Sequence, residues 1–109
     1  MPKKNRNKEF PLVTMAPGIQ RKILGYQENL MLVKVFFEKG SVAAVHHHPH
    51  QQIGFILDGQ FELEVGRKKD ILSAGDCFSV PANVRHGATC LEKGIILDSF
   101  SPMRKDFLG

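Results

Sequence analysis

The chain has 109 residues, 42% of them hydrophobic and eight of them phenylalanine, with a formal net charge of +4, a length and composition that suit one folded domain with a modest core. No apolar run approaches a membrane span and the basic start MPKKNRNKEF has no apolar stretch behind it, so neither a membrane nor an export role is expected and the chain reads as cytoplasmic. Lys3, Lys4, Arg6 and Lys8 all precede Glu9 and leave a nearly neutral remainder; a nucleic-acid binder carries its basic residues on the folded body among aromatics, so residues 1–9 read as a flexible basic arm and no nucleic-acid partner is expected.

Residues 10–109 then read as one all-β domain. Residues 10–14 form a first short strand, and Ala16, Pro17 and Gly18 a turn. Residues 19–24 and 30–38 follow, separated by GYQEN, the second rich in β-branched and aromatic side chains. Glu38, Lys39 and Gly40 turn the chain into residues 41–48, where strict alternation puts Val42, Ala44, His46 and His48 on one face. Residues 52–57 are closed by Asp58-Gly59, a dipeptide that favours tight hairpins. The chain returns through Phe61, Leu63 and Val65, which alternate with Glu62 and Glu64. Gly66 and the SAGD turn bracket residues 67–72, and residues 77–80 end at Pro81. Residues 86–91 and 94–100 read as a last hairpin joined around Glu92 and Lys93, and Pro102 leaves a short tail that Phe107 and Leu108 anchor. Many short strands with turn signals every eight to twelve residues or so indicate a sandwich or barrel. Cys77 and Cys90 lack CxxC spacing and read as reduced, small apolar strand residues.

One strand has two apolar faces. Gln52, Gly54 and Ile56 point one way, and Ile53, Phe55 and Leu57 the other. A small barrel has little protein with which to cover that outer row, and a second copy of the chain is the economical cover, so a homodimer is expected.

The chemistry concentrates in HHHPHQQIG. Four of the five histidines lie there, with His46 and His48 two apart on a strand, Gln52 four positions on and the fifth histidine at His86. A lone histidine is more often a satisfied core or surface residue than a ligand, but this grouping indicates a metal site. Asp98 shares a face with Ile96 and Phe100, and a carboxylate on an apolar inward face needs a partner. A hairpin centred on Glu92 and Lys93 would set His86 opposite residues 98–100, making Asp98 the neighbour of a metal ligand.

These residues resemble a known family. Gly40, His46, His48, Gln52 and Gly59, with five, one, three and six residues between them, resemble the first cupin motif, with glutamine where many members carry glutamate. Gly75, Pro81, Asn83 and His86 resemble the second, with Asn83 in place of the usual glycine and Cys90 in place of the usual asparagine. The resemblance implies a double-stranded β-helix, a jelly-roll barrel of antiparallel strands. It also implies one divalent transition metal ion, Mn, Fe, Co, Ni or Zn, held by His46, His48, Gln52 and His86, with His47 and His50 outside the ligand set. Neutral ligands leave the cation its full charge. Four protein ligands would close a tetrahedron, so catalysis favours the five- or six-coordinate metals over closed zinc.

A narrower likeness rests on HPHQQIGFILDGQFELEVG and on the ending LDSFSPMRKDFLG, which resemble the KdgF-type pectin-degradation cupins. Those enzymes open 4,5-unsaturated monouronates into linear 4-deoxy-5-keto uronates. The likeness implies Asp98 as acid/base residue, with Phe100 and Arg104 lining the site of a small-molecule uronate. Gln51 and Lys105 stand where glutamate is usual, both outside that set. Two other readings stay open: another cupin enzyme such as an Fe(II) dioxygenase, which would consume oxygen, and a non-catalytic sugar-binding cupin, which would bind without turnover.

Overall fold

A computed structural model describes residues 4–108, so part of the expected basic arm, Lys3 included, lies outside the described residues. The strands are β1 (Val13–Ala16), β2 (Ile19–Gln27), β3 (Leu30–Phe37), β4 (Val42–His46), β5 (Gln51–Val65), β6 (Lys68–Ser73), β7 (Cys77–Val80) and β8 (His86–Ser101), followed by a 3-10 helix at Lys105–Leu108. All pairings are antiparallel, in the order β1-β2-β3-β8-β5-β6, with β4 added on β8 and β7 on β5. The result is an all-β cupin-type jelly roll. No helix among the described residues is long and apolar enough to cross a membrane.

The expected hairpins at Asp58-Gly59 and at Glu92-Lys93 do not form. β5 and β8 are single strands of 15 and 16 residues, and they pair with each other from Gln51↔Ser101 to Val65↔His86, with register shifts around Asp58 and Gln60. Gly59 does take the positive φ for which such dipeptides are selected, +86°, but spends it on a bulge that bends a continuous strand. Gly94 faces it across the ladder, and a Cβ on either glycine would run into the backbone of the other strand. Close approach at a bend, not chain reversal, is what these glycines provide.

β4 also departs from simple alternation. Its register slips between Ala43↔Ala88 and His46↔His86, three residues facing two. Ala43 and His46 therefore both line the interior, while Val42, expected inside, is exposed. One extra residue in a strand reverses the facing of everything beyond it.

Inward residues of β3, β5 and β8 make the core. Met31, Val33, Ile56 and Phe61 are fully buried, and Cys90 nearly so. The Phe37 and Phe61 rings meet edge to face at 4.9 Å. On the opposite surface Ile53, Phe55 and Leu57 are 54%, 38% and 45% exposed, so no other segment of the described chain covers the outer row.

Phe61→Ala is expected to destabilise the fold by about 3–5 kcal/mol, read as a lower urea midpoint with an unchanged slope; a loss within ordinary surface values would mean that the core is not centred on this ring.

Candidate active site

At one end of the interior three imidazoles converge. His46 and His86 are paired across β4 and β8, and His48 arrives from the loop after β4. Their ring centroids lie 4.5 to 5.7 Å apart, with one ligand atom from each within 4.8 Å of the others. His48 and His86 are buried, and His46 sits at the open rim.

The Nδ1 bonds are local. Nδ1 of His46 donates to the Ala44 carbonyl at 2.9 Å, Nδ1 of His48 to the His50 carbonyl at 3.0 Å, and Nδ1 of His86 to the Val84 carbonyl at 2.9 Å. A carbonyl only accepts, so each Nδ1 is the donor in its bond, and Nε2 of His46 and His86 keeps a lone pair, whereas the His48 ring has an acceptor at each nitrogen, the His50 carbonyl at Nδ1 and Gln52 Oε1 at Nε2. Burial, reinforced by the neighbouring histidines and Arg104, lowers the pKa of His86 to about 4 against the opposing bond to Val84. Burial also lowers that of His48. Neutral imidazoles with inward lone pairs are what a metal ion requires.

Gln52 and Asp98 complete the group from β5 and β8. Gln52 Nε2 donates to Asp98 Oδ1 at 2.8 Å, which turns Gln52 Oε1 toward His48 Nε2, 3.1 Å away. A neutral imidazole has one N–H to give and the His48 ring faces two acceptors, so one of its two contacts lacks a proton, and a cation at Nε2 would relieve that shortage. The donor set of three imidazoles and one amide oxygen fits a divalent transition metal, and among the described residues His47 and His50 stand outside the histidine group. Asp98 is buried and lines the interior. Burial raises its pKa to about 7, against the lowering effects of the Gln52 bond and of Arg104. Gly54, paired with Asp98 across the ladder, has no room for a Cβ, which would strike the Phe78 ring and crowd the Asp98 carboxylate.

The hairpin expected to bring Asp98 to His86 is therefore not the device that does so. Asp98 reaches the site through its pairing with β5, beside Gln52, and His86 meets the group from the other half of the bent ribbon.

A cavity of about 90 Å³ opens from this group, walled mainly by apolar side chains, with Asp98 and Arg104 among its few charged ones. Phe100 lines it and packs edge-on against His48. Arg104 lines it too, its guanidinium 4.2 Å over the Phe107 ring and 5.1 Å over Phe100. The structure adds Phe107 to the lining and Arg21 to its surroundings, the latter 4.1 Å over Phe107. The sequence signal for Arg21 was a cation on the inward row of β2, between Ile19 and Ile23.

Residues 33–97 match the family model described as a cupin domain. The chain is 40% identical over 102 residues to the pectin degradation protein KdgF of Dickeya dadantii, covering 92% of this chain and 93% of that protein. Among solved structures, KdgF from a Halomonas species superposes with a TM-score of 0.91 at 40% identity, over 98% of this chain and 99% of that one. An RmlC-like cupin from Shewanella frigidimarina does so at 0.91 and 37% identity, over 98% and 96%.

Substituting His48 or His86 by alanine is expected to reduce bound cobalt to background, measured by elemental analysis after loading and desalting, whereas His47→Ala keeps the wild-type content. Equal loss in all three variants would point to instability in place of ligation.

Proposed function

Because the chain belongs to the cupin family, and within it groups with the KdgF pectin degradation proteins, we propose that it linearises 4,5-unsaturated monouronates to 4-deoxy-5-keto uronates. The observation that carries this reading is the enclosed Asp98 carboxylate, bonded to Gln52 at the edge of the imidazole group and facing an apolar cavity.

The reaction is a net isomerisation. The proton on the anomeric hydroxyl leaves, the C1 carbonyl forms as the bond from C1 to the ring oxygen breaks, and the electron pair passes to the ring oxygen as an enolate. Protonation of C4 then gives the C5 ketone. Asp98 takes the hydroxyl proton and returns it at C4, a transfer suited to a carboxyl group whose burial brings its pKa near neutrality. Gln52 orients that carboxylate through its N–H. Arg104 pairs with the substrate carboxylate, and the Phe100 ring packs against the sugar and keeps water from the reacting carbons. His46, His48, His86 and Gln52 are the residues to hold a divalent cation, which when bound supplies positive charge against the developing enolate. Atoms and electrons balance without a redox cofactor.

The outer row of β5 supports the second part of the reading, a homodimer that buries Ile53, Phe55 and Leu57 against the same face of another copy.

Metal-loaded protein is expected to accelerate the decay of the enol-ether ultraviolet absorbance of unsaturated galacturonate, and Asp98→Asn to slow it by about a hundredfold or more. Decay at the spontaneous rate would remove the assignment, and oxygen uptake in its place would indicate a dioxygenase. Replacing Ile53 and Leu57 together by glutamate is expected to halve the mass seen by light scattering, from two chains to one. A wild-type chain that already runs as a monomer would exclude the dimer.

A further inference from the structure

The tail after β8 holds Arg104 in a defined way. Its side chain is only 12% exposed, whereas that of its partner Asp106 is 57% exposed. Asp106 accepts from Arg104 Nε at 3.1 Å through Oδ1 and from Nη2 at 2.7 Å through Oδ2. This is the side edge of the guanidinium. Of its five N–H groups Asp106 takes two, and the three left include the end-on fork of Nη1 and Nη2, a bidentate carboxylate site in its own right.

Two further contacts restrict the group. The guanidinium is confined by the Phe107 and Phe100 rings, which stand at 84° to each other with their centres 4.2 and 5.1 Å from it, and the Asp106 bonds fix which of its edges faces the tail. Phe107 is itself braced, by an edge-on contact with Phe100 at 5.8 Å and by the Arg21 guanidinium 4.1 Å from its centre. Arg21 reaches it from the inward row of β2, beside Val35, which lines the cavity. Asp106 also acts as counter-ion to Arg21, opposing the fall in pKa that burial and Arg104 impose.

We propose that Asp106 is a positioning residue for anion recognition, holding Arg104 by its side edge so that the end-on fork meets the carboxylate of a sugar acid, with Arg21 steadying the arrangement through Phe107. The proposal rests on the reading of the pocket as a uronate site. It assigns specificity to a residue that touches no substrate. Because an ion pair with so exposed a carboxylate contributes little to folding, loss of Asp106 should be felt in anion affinity and hardly at all in stability.

The test is calorimetric titration of the metal-loaded full chain with D-galacturonate and, as neutral control, D-galactose. Asp106→Ala is expected to weaken galacturonate about tenfold with galactose and the thermal midpoint unchanged, Asp106→Glu to recover most of the loss, and Asp106→Ala to add nothing in an Arg104→Gln background. Tighter galacturonate binding by Asp106→Ala would overturn the proposal, since Asp106 would then be a competitor for Arg104. An equal loss in the Arg104→Gln background, or wild-type protein that binds galacturonate no better than galactose, would also overturn it. Turnover of unsaturated galacturonate, assayed on the same preparations, separates the two readings. Turnover with no effect of Asp106 on affinity sinks the positioning role alone, and the full pattern of affinities without turnover sinks linearisation alone.

Discussion

The site exists because β5 and β8 stay paired through a bend. Two strands of 15 and 16 residues are longer than a small barrel can accommodate straight, and the touching backbones at Gly59 and Gly94 let the ribbon turn without breaking the ladder. Residues on either side of the bend then belong to opposite walls of one interior. Gln52 and Asp98 lie on one arm and His86 on the other, and the arms close until the His48 and His86 rings are 4.7 Å apart. A side chain at Gly59 or Gly94 would separate the strands at the bend and so act on the site from its far end.

Within that frame the orientation of the donors is settled over very short stretches of chain. Each imidazole is held by a carbonyl two residues away, Ala44 for His46, His50 for His48 and Val84 for His86. The three Nδ1 bonds depend on local backbone geometry, whereas the meeting of the rings, and the second contact of His48 with Gln52, depend on the fold. Gln52 is different. Its amide is turned by Asp98, 46 residues away in sequence, so the orientation of the fourth donor and the placing of the carboxylate are one event.

Much of this was legible in the sequence, for identifiable reasons. Motif spacing brought out His46, His48 and His86 because it is a property of short segments, although the strand alternation expected to carry His46 and His48 does not carry them: β4 slips its register before His46 and ends there, leaving His48 in the loop. The outer row of β5 was legible through simple alternation, which holds there. The pairing was not. Asp58-Gly59 and Glu92-Lys93-Gly94 carry the residue types of reverse turns, and a positive-φ glycine looks the same in sequence whether it reverses a chain or bulges a strand. The consequence was a hairpin that brought Asp98 to the right neighbourhood by the wrong pairing. Val42 was placed inward for a related reason: the extra residue between Ala43 and His46 has no signature of its own. Arg21 was present as a cation on an inward row, but its contact with Phe107 joins the second strand to the tail, a distance at which periodicity is silent.

The glutamine at position 52 has a consequence beyond the charge of the ligand set. A glutamate there would place a second carboxylate within hydrogen-bonding distance of Asp98, and two enclosed like charges at that separation cannot both ionise; they would share a proton and titrate as a pair. Glutamine avoids this while keeping an oxygen for the imidazole side and gaining an N–H for the aspartate side. Asp98 is then the one carboxylate among the residues lining the cavity. In the proposed reaction, proton transfer and cation binding would thus fall to separate side chains joined by a single amide, and the amide could serve both only because its two ends have opposite hydrogen-bonding character.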